Sequence, residues 1–429
     1  MTNRNQFIKD LFLFLRDKDY VVLKYIEDDI ASIGALSDID LAVSKKSSDQ
    51  IEKFITKYES VLNFKAYRNS FMKMVYIAFN DSSFLEVDLI NSFIRKDIHY
   101  LDTNEMLTNY HLNHEQLKVP HAEYSFLYIF LFYILNGSSV DTKYQRYFTS
   151  LSNSEQSKIL NFMNQRYTLD NTDLNTLCIF DASTLTKVKI KIKENNGFFV
   201  QNKNLLMYMK DFISNNQKSK IITFNGVDGA GKTTILREFT ELLEKKYRRN
   251  VIELRHRPSV LPILSAMKHG KKEAEKKTME VLPRTGSNKS KLSSYIRFFY
   301  YLTDYILGQW VVFAKHSLRG EIVIYDRYYF DFINDARRTN IDLNSSFVKF
   351  FYKFVFKPEM NIFLFAPPEV ILSRKQEMDE ESIVNLTEKY KTLFDEFGQE
   401  NKDQYVSIEN INKEETMKTI EDIYVRTSL

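Results

Sequence analysis

The segment Gly226-Val227-Asp228-Gly229-Ala230-Gly231-Lys232-Thr233, followed by Thr234, restricts the architecture of this chain more than any other. It has the spacing of a phosphate-binding loop, which needs a buried strand before it and a helix N-terminus after it. Both flanks comply. Lys220-Ile221-Ile222-Thr223-Phe224 is apolar and β-branched, and Ile235, Leu236, Phe239, Leu242 and Leu243 recur at helical spacing between Glu and Lys. The glycines let the backbone curl until successive N–H groups face one anion, and the helix terminus adds about half a positive charge. Lys232 then bridges the outer phosphates, and Thr233 is placed for Mg²⁺. Such a unit belongs to an α/β sheet and implies a bound nucleoside triphosphate with Mg²⁺.

At 429 residues the chain is too long for a single core, so two or three domains are expected. Its net charge of +4 does not argue for nucleic acid as a partner. One cysteine, Cys178, excludes an internal disulfide framework and fits a reducing cytoplasm. The polar opening Met1-Thr2-Asn3-Arg4 carries no secretory signal. Tyr124 to Leu135, the most apolar run, is too short to span a bilayer and reads as a buried helix. A homodimer is compatible with all of this.

Along the chain, helices are expected at Gln6–Arg16 and Ile51–Leu62, and strands at Tyr20–Lys24, Ile39–Val43, Met72–Phe79 and Phe84–Leu89. Residues 102–215 read as almost wholly helical, and Asn215 to Ser219 as the domain boundary. The domains are therefore set at 1–101, 102–215 and 216–429. Within the last, parallel strands are expected at Lys220–Phe224, Val251–Leu254, Ile322–Tyr325, Met360–Phe365 and Tyr405–Ile408. Lys268 to Lys291, rich in Lys, Glu, Gly and Ser, reads as a surface excursion. Its interspersed Glu273, Glu275 and Glu280 argue against a nucleic-acid interface.

The second strong signal is Ile322-Val323-Ile324-Tyr325-Asp326-Arg327. A strand ending in Asp-Arg beside a phosphate loop puts Asp326 near the Mg²⁺ shell and Arg327 near a substrate phosphate. The third is Ile362 through Ala366-Pro367-Pro368-Glu369 to Arg374-Lys375. Together with Phe224–Thr234 these stretches resemble the thymidylate kinase-like branch of P-loop kinases, from about Lys218 to the C-terminus. The resemblance implies an ATP-dependent kinase with a small-molecule phosphoryl acceptor, a nucleoside monophosphate or another metabolite. It makes Lys232, Asp228, Asp326, Arg327 and Arg374 the candidate catalytic residues. Asp228 would face the acceptor, Asp326 would support Mg²⁺, Arg327 would hold the acceptor's anion, and Arg374 would close as the lid arginine. A lid cation strengthens its hold as charge spreads in the transition state. Arg337-Arg338 is a weaker pair.

Three places depart from the family. Asn225 stands where an acidic residue is usual. Arg255-His256-Arg257-Pro258-Ser259-Val260-Leu261-Pro262 replaces an Arg-Glu-Pro-Gly-Gly-Thr segment, and the lid runs acidic through Glu377, Asp379, Glu380 and Glu381. The phosphate-handling residues are retained while the acceptor pocket is rebuilt, with His256 and Arg257 as candidates for its wall.

In the N-terminal half, Ser37-Asp38-Ile39-Asp40-Leu41 and Leu85-Glu86-Val87-Asp88-Leu89 form another constellation. Strand alternation puts Asp38 and Asp40 on one face, and a neighbouring strand would bring Asp88 beside them. Three carboxylates repel unless cations sit between them, which suits two Mg²⁺ ions and nucleotidyl transfer. Val21 through Asp40 resembles the small nucleotidyltransferase superfamily, which implies an α+β domain with a helical extension behind its sheet. The Gly-Ser turn of that superfamily is not evident; Gly34-Ala35 is the nearest small pair. An active enzyme and a decayed scaffold both stay open, as does a different reading of the whole chain: a nucleotide-sensing module of toxin or defence type that uses ATP occupancy as a switch.

Overall fold

The computed structural model describes residues 2–26, 33–170, 173–214, 220–261 and 290–428. Two compact units divide the chain, Met1–Asn216 with Leu429, and Gln217–Ser428. The expected boundary at 215–219 and nearly all of 268–291 lie outside the described residues.

The N-terminal unit opens with α1 (Asn3–Leu15), capped by the Thr2 side chain, which accepts the Asn5 N–H. Its Phe7, Ile8, Leu11, Phe12 and Leu15 are buried, each such side chain stabilising by ~1.5–3 kcal/mol. Then follow β1 (Tyr20–Leu23), β2 (Ile39–Val43), α2 (Lys45–Thr56), β3 (Val61–Arg68), β4 (Met72–Phe79) and β5 (Phe84–Ile90). The sheet order is β1-β2-β5-β4-β3. Only β2 and β5 run parallel; the other pairs are antiparallel. The helix expected over Ile51–Leu62 starts earlier, because Ser44 accepts the Ser47 N–H and caps it at Lys45. It ends at Thr56, and Val61 and Leu62 belong to β3 instead. No strict alternation marked β3 because most of its residues are half-buried.

Two hairpins follow, β6 (Phe93–Arg95) with β7 (Ile98–Leu101), then, after α3 (Thr103–Thr108), β8 (Tyr110–Leu112) with β9 (Lys118–Pro120). The rest is helical: α4 (Ala122–Asn136), α5 (Thr142–Ser150), α6 (Asn153–Tyr167), α7 (Leu174–Ile179), α8 (Ala182–Glu194) and α9 (Phe198–Ser214). As expected of an apolar run, α4 is buried without a break from Phe126 to Leu131. Its core also takes Val21, Leu23, Ile90 and Phe93 from the sheet side, so sheet and helices share one interior.

The C-terminal unit is a five-stranded parallel α/β sheet flanked by helices. Its strands are β10 (Ile221–Gly226), β11 (Val251–Arg255), β12 (Ile322–Asp326), β13 (Met360–Phe365) and β14 (Tyr405–Glu409), in the order β11-β12-β10-β13-β14. β10 is central and leads into α10 (Lys232–Lys245). The order reverses across β10, and that switch point is where ligands settle in open parallel sheets. Phe224 pairs with Asp326 and Gly226 with Leu364, so the strand ends converge on one crevice. Among the described residues no helix is long and apolar enough to cross a membrane.

Candidate active site

Gly226, the last residue of β10, must lack a side chain: a Cβ there would lie 2.7 Å from the Leu364 carbonyl oxygen. Gly229 and Gly231 adopt left-handed φ values of 90° and 80°, a region glycine enters without steric cost. A Cβ on Gly231 would stand 2.5 Å from Asn410 Nδ2 and 3.5 Å from an Arg374 guanidinium nitrogen. The Arg374 side chain therefore reaches the loop. Asn410 donates to the Ala230 carbonyl at 2.8 Å and ties the loop to the end of β14. Sequence reasoning passed over Asn410, although a polar residue just past a strand's C-terminal end is placed for that task. Val227 and Ala230 are buried, while Thr233 and Thr234 are open to solvent at the first turn of α10.

Lys232 is 8% exposed and forms an ion pair with Asp326. Burial and Arg327 pull the Lys232 ammonium below its usual range, and Asp326 does not fully restore it. Asp326 is pushed up by burial, but Lys232 outweighs that and holds it below the ordinary carboxylate value.

Arg327 follows β12 at a left-handed φ of 77°, pinned by its N–H to the Phe224 carbonyl at 2.8 Å. The left-handed region costs a non-glycine residue about 1–2 kcal/mol, so the surrounding contacts must hold it. Its guanidinium is 4% exposed and meets Asp228 Oδ1 at 2.6 Å and Asp331 Oδ2 at 3.5 Å. Arg338 pairs with the other Asp228 oxygen and lies 3.4 Å from Asp335. Asp228 is thus clamped between two arginines. Of the Arg337-Arg338 pair it is Arg338 that reaches Asp228.

The rebuilt segment divides into two roles. His256 has φ 60° and its N–H donates to the Asp326 carbonyl at 3.0 Å. The residue is exposed to solvent, and the desolvating protein mass around it draws its pKa down to about 4. Arg257 turns inward. It pairs with buried Asp304 in a π-helical turn, donates to the Leu261 carbonyl at 2.9 Å and lies over the Tyr301 ring at 4.9 Å. Asp304 also accepts the N–H groups of Ser259, Val260 and Leu261. Arg257 is therefore a structural anchor, a correction to its expected place in the acceptor wall. Pro262 lies outside the described residues. Asn225 bonds Thr223 and accepts the Tyr328 N–H, both inside the core.

In the N-terminal unit, β2 and β5 set Asp40 directly beside Asp88. Asp38 precedes β2, and its charge is felt at both Lys24 and Asp88. Arg4 from α1 donates to the Gly34 and Ser37 carbonyls at 2.9 and 2.8 Å, fixing the loop that delivers Asp38. Lys24 Nζ sits 3.0 Å from Asp40 Oδ2. Asp88 Oδ1 is buried without a hydrogen-bond partner. Burial, then Asp40, Glu86 and Asp38, raise the Asp88 pKa well above the ordinary value. Among the described residues no three His, Cys, Asp or Glu side chains stand close enough to hold a metal ion. The expected three-carboxylate metal site is thus not assembled: Lys24 sits against Asp40.

Residues 224–420 match the family model described as thymidylate kinase. A probable thymidylate kinase 1 of Saccharolobus solfataricus is 28% identical over 185 residues, covering 42% of this chain and 85% of that protein. The thymidylate kinase of Ehrlichia chaffeensis aligns over 48% of this chain and 98% of its own at 15% identity, with a TM-score of 0.34. The C-terminal half of this chain is thus similar to thymidylate kinases over residues 224–420.

Proposed function

We propose that the C-terminal unit transfers the terminal phosphoryl group of ATP to a nucleoside monophosphate. The observation that carries this reading is the register that sets Asp326 and Arg327 at the rim of the Gly226–Thr234 loop. Lys232 and the loop N–H groups hold the outer phosphates, Arg374 covers them, and Arg327 with Arg338 receives the acceptor's anion. The fit for Mg²⁺ is reasonable: Thr233 is open at the helix terminus and Asp326 lies one strand away. Mg²⁺ in such sites needs only one or two protein oxygens, the rest coming from phosphate and water. When bound, it neutralises charge on the transferring group.

The acceptor pocket departs from the family pattern because residues 255–262 replace the usual framing segment, with His256 held next to Asp326 by its backbone N–H. Thymidine monophosphate is therefore not expected to rank first. Acceptor-dependent ADP formation across a panel of nucleoside monophosphates tests both points. ADP release that ignores every acceptor would favour the alternative, an ATP-occupancy switch. Thymidine monophosphate as the best acceptor, at about 10⁴ M⁻¹s⁻¹ or more, would overturn the specificity claim.

A second reading concerns the N-terminal unit. The Asp40–Asp88 register and the mixed sheet support a nucleotidyltransferase-like domain. With Lys24 on Asp40, we derive no metal-dependent step for it.

A further inference from the structure

Arg327 does not hold its position alone. Behind it lies Asp331, 3% exposed, which offers Oδ2 to the guanidinium at 3.5 Å and accepts the Tyr390 hydroxyl on Oδ1. Tyr390 sits on the helix Glu380–Phe397 and is 1% exposed. Its ring stacks on Phe363 of β13 with centroids 4.8 Å apart and planes 6° from parallel. Burial, followed by Asp331, raises the phenol's pKa well above its usual value, so the hydroxyl stays a donor. The Asp331 backbone carbonyl in turn accepts the Asp335 N–H at 2.8 Å, and Asp335 is the residue beside Arg338.

We infer that Asp331 and Tyr390 are positioning residues for the acceptor-anion site, aiming the Arg327 guanidinium from behind without touching the substrate. Asp331 has two oxygens with two tasks. A rigid, stacked phenol fixes one, so the other can point only where Arg327 needs it. The need is physical: Arg327 has a left-handed backbone and a long side chain with several rotatable bonds. A guanidinium left free to turn fully onto Asp228 would lose its fork geometry toward an incoming anion. The inference rests on the proposed role of Arg327 as acceptor-anion ligand.

Tyr390→Phe in the full chain tests it, since this removes one oxygen and keeps the stacked ring. Steady-state kinetics with ATP·Mg²⁺ and the best acceptor from the panel should give an acceptor KM about tenfold higher, with the KM for ATP within about twofold. Asp331→Asn, which keeps shape but weakens the contact to Arg327, should shift the same parameter in the same direction. In an Arg327→Ala background, Tyr390→Phe should add nothing to the acceptor KM, because the path runs through that arginine. Three results overturn the inference: an unchanged acceptor KM in Tyr390→Phe, equal rises for both substrates, or full additivity with Arg327→Ala. An acceptor KM indifferent to Arg327→Ala itself would instead remove the underlying assignment of Arg327.

Discussion

The two carboxylate-bearing sites of this chain solve opposite electrostatic problems. In the C-terminal crevice every acid has a cation: Asp326 has Lys232, and Asp228 has both Arg327 and Arg338. In the N-terminal unit Asp38, Asp40 and Asp88 share the influence of Lys24, and Asp88 keeps an oxygen with no hydrogen bond. The first arrangement pairs its charges within the protein. The second is strained toward protonation or toward cations. A preorganised site of the first kind aims fixed charge at a reacting phosphate, where it is worth more than in water.

The largest expected effect separates the two sites outright. Lys232→Ala should cut phosphoryl transfer by about 10²-fold or more, as loss of a preorganised charge does, while Lys24→Ala should leave it unchanged. ADP-formation assays on both variants decide; equal losses would mean that the sites work as one. Next, Asp326→Asn should lower kcat by about tenfold or more, with the acceptor KM moved less than by Arg327→Ala. Small, equal effects from these two changes would reduce the Asp-Arg end of β12 to an ordinary surface pair.

A smaller effect falls on stability. Asp88→Asn removes a strained acid, so its melting temperature at pH 7.5 should exceed that of the unaltered chain by a few degrees, ~1 kcal/mol being worth about 2–4 °C in a domain of this size. Should Mg²⁺ or Mn²⁺ displace Lys24, either would raise the melting temperature of the unaltered chain but not of Asp40→Asn. A rise that survives Asp40→Asn would place the cation elsewhere.

The smallest effect is a difference in sign with pH. Asp88 has a native pKa raised above its unfolded value. It therefore weakens the fold at high pH, and stability returns as pH falls through the raised value toward about 3.9. His256 is the reverse. Its native value of about 4 lies below the unfolded value of about 6.5, so stability is lost as pH falls from about 6.5 toward 4. Thermal unfolding between pH 7.5 and 5 should show the Asp88→Asn advantage shrinking with acid. His256→Gln should be less acid-sensitive than the unaltered chain. A common slope for all three proteins would contradict both assignments.

Local chemistry made the phosphate loop legible. Gly226, Gly229 and Gly231 are demanded by a close strand and by left-handed backbone, so spacing alone located strand, loop and helix. The Asp-Arg end of β12 and the strand cores followed from apolar runs, because a parallel strand buried on both faces has little freedom of composition. Strand β3, half-buried along most of its length, offered no such run. Which charges meet was settled only in three dimensions. Arg257 and Arg327 are the same residue type at similar loop positions, yet one is committed to Asp304 and the other to Asp228 and Asp331. Asn410 and Tyr390 lie 180 and 59 residues from the groups they fix. The sequence by itself determined where the glycine loop and its helix N-terminus lie, since that depends on consecutive backbone groups. Only the tertiary structure decided which arginine meets which carboxylate, because pairing between buried charges depends on distance and desolvation, and neither is a property of neighbours in the chain.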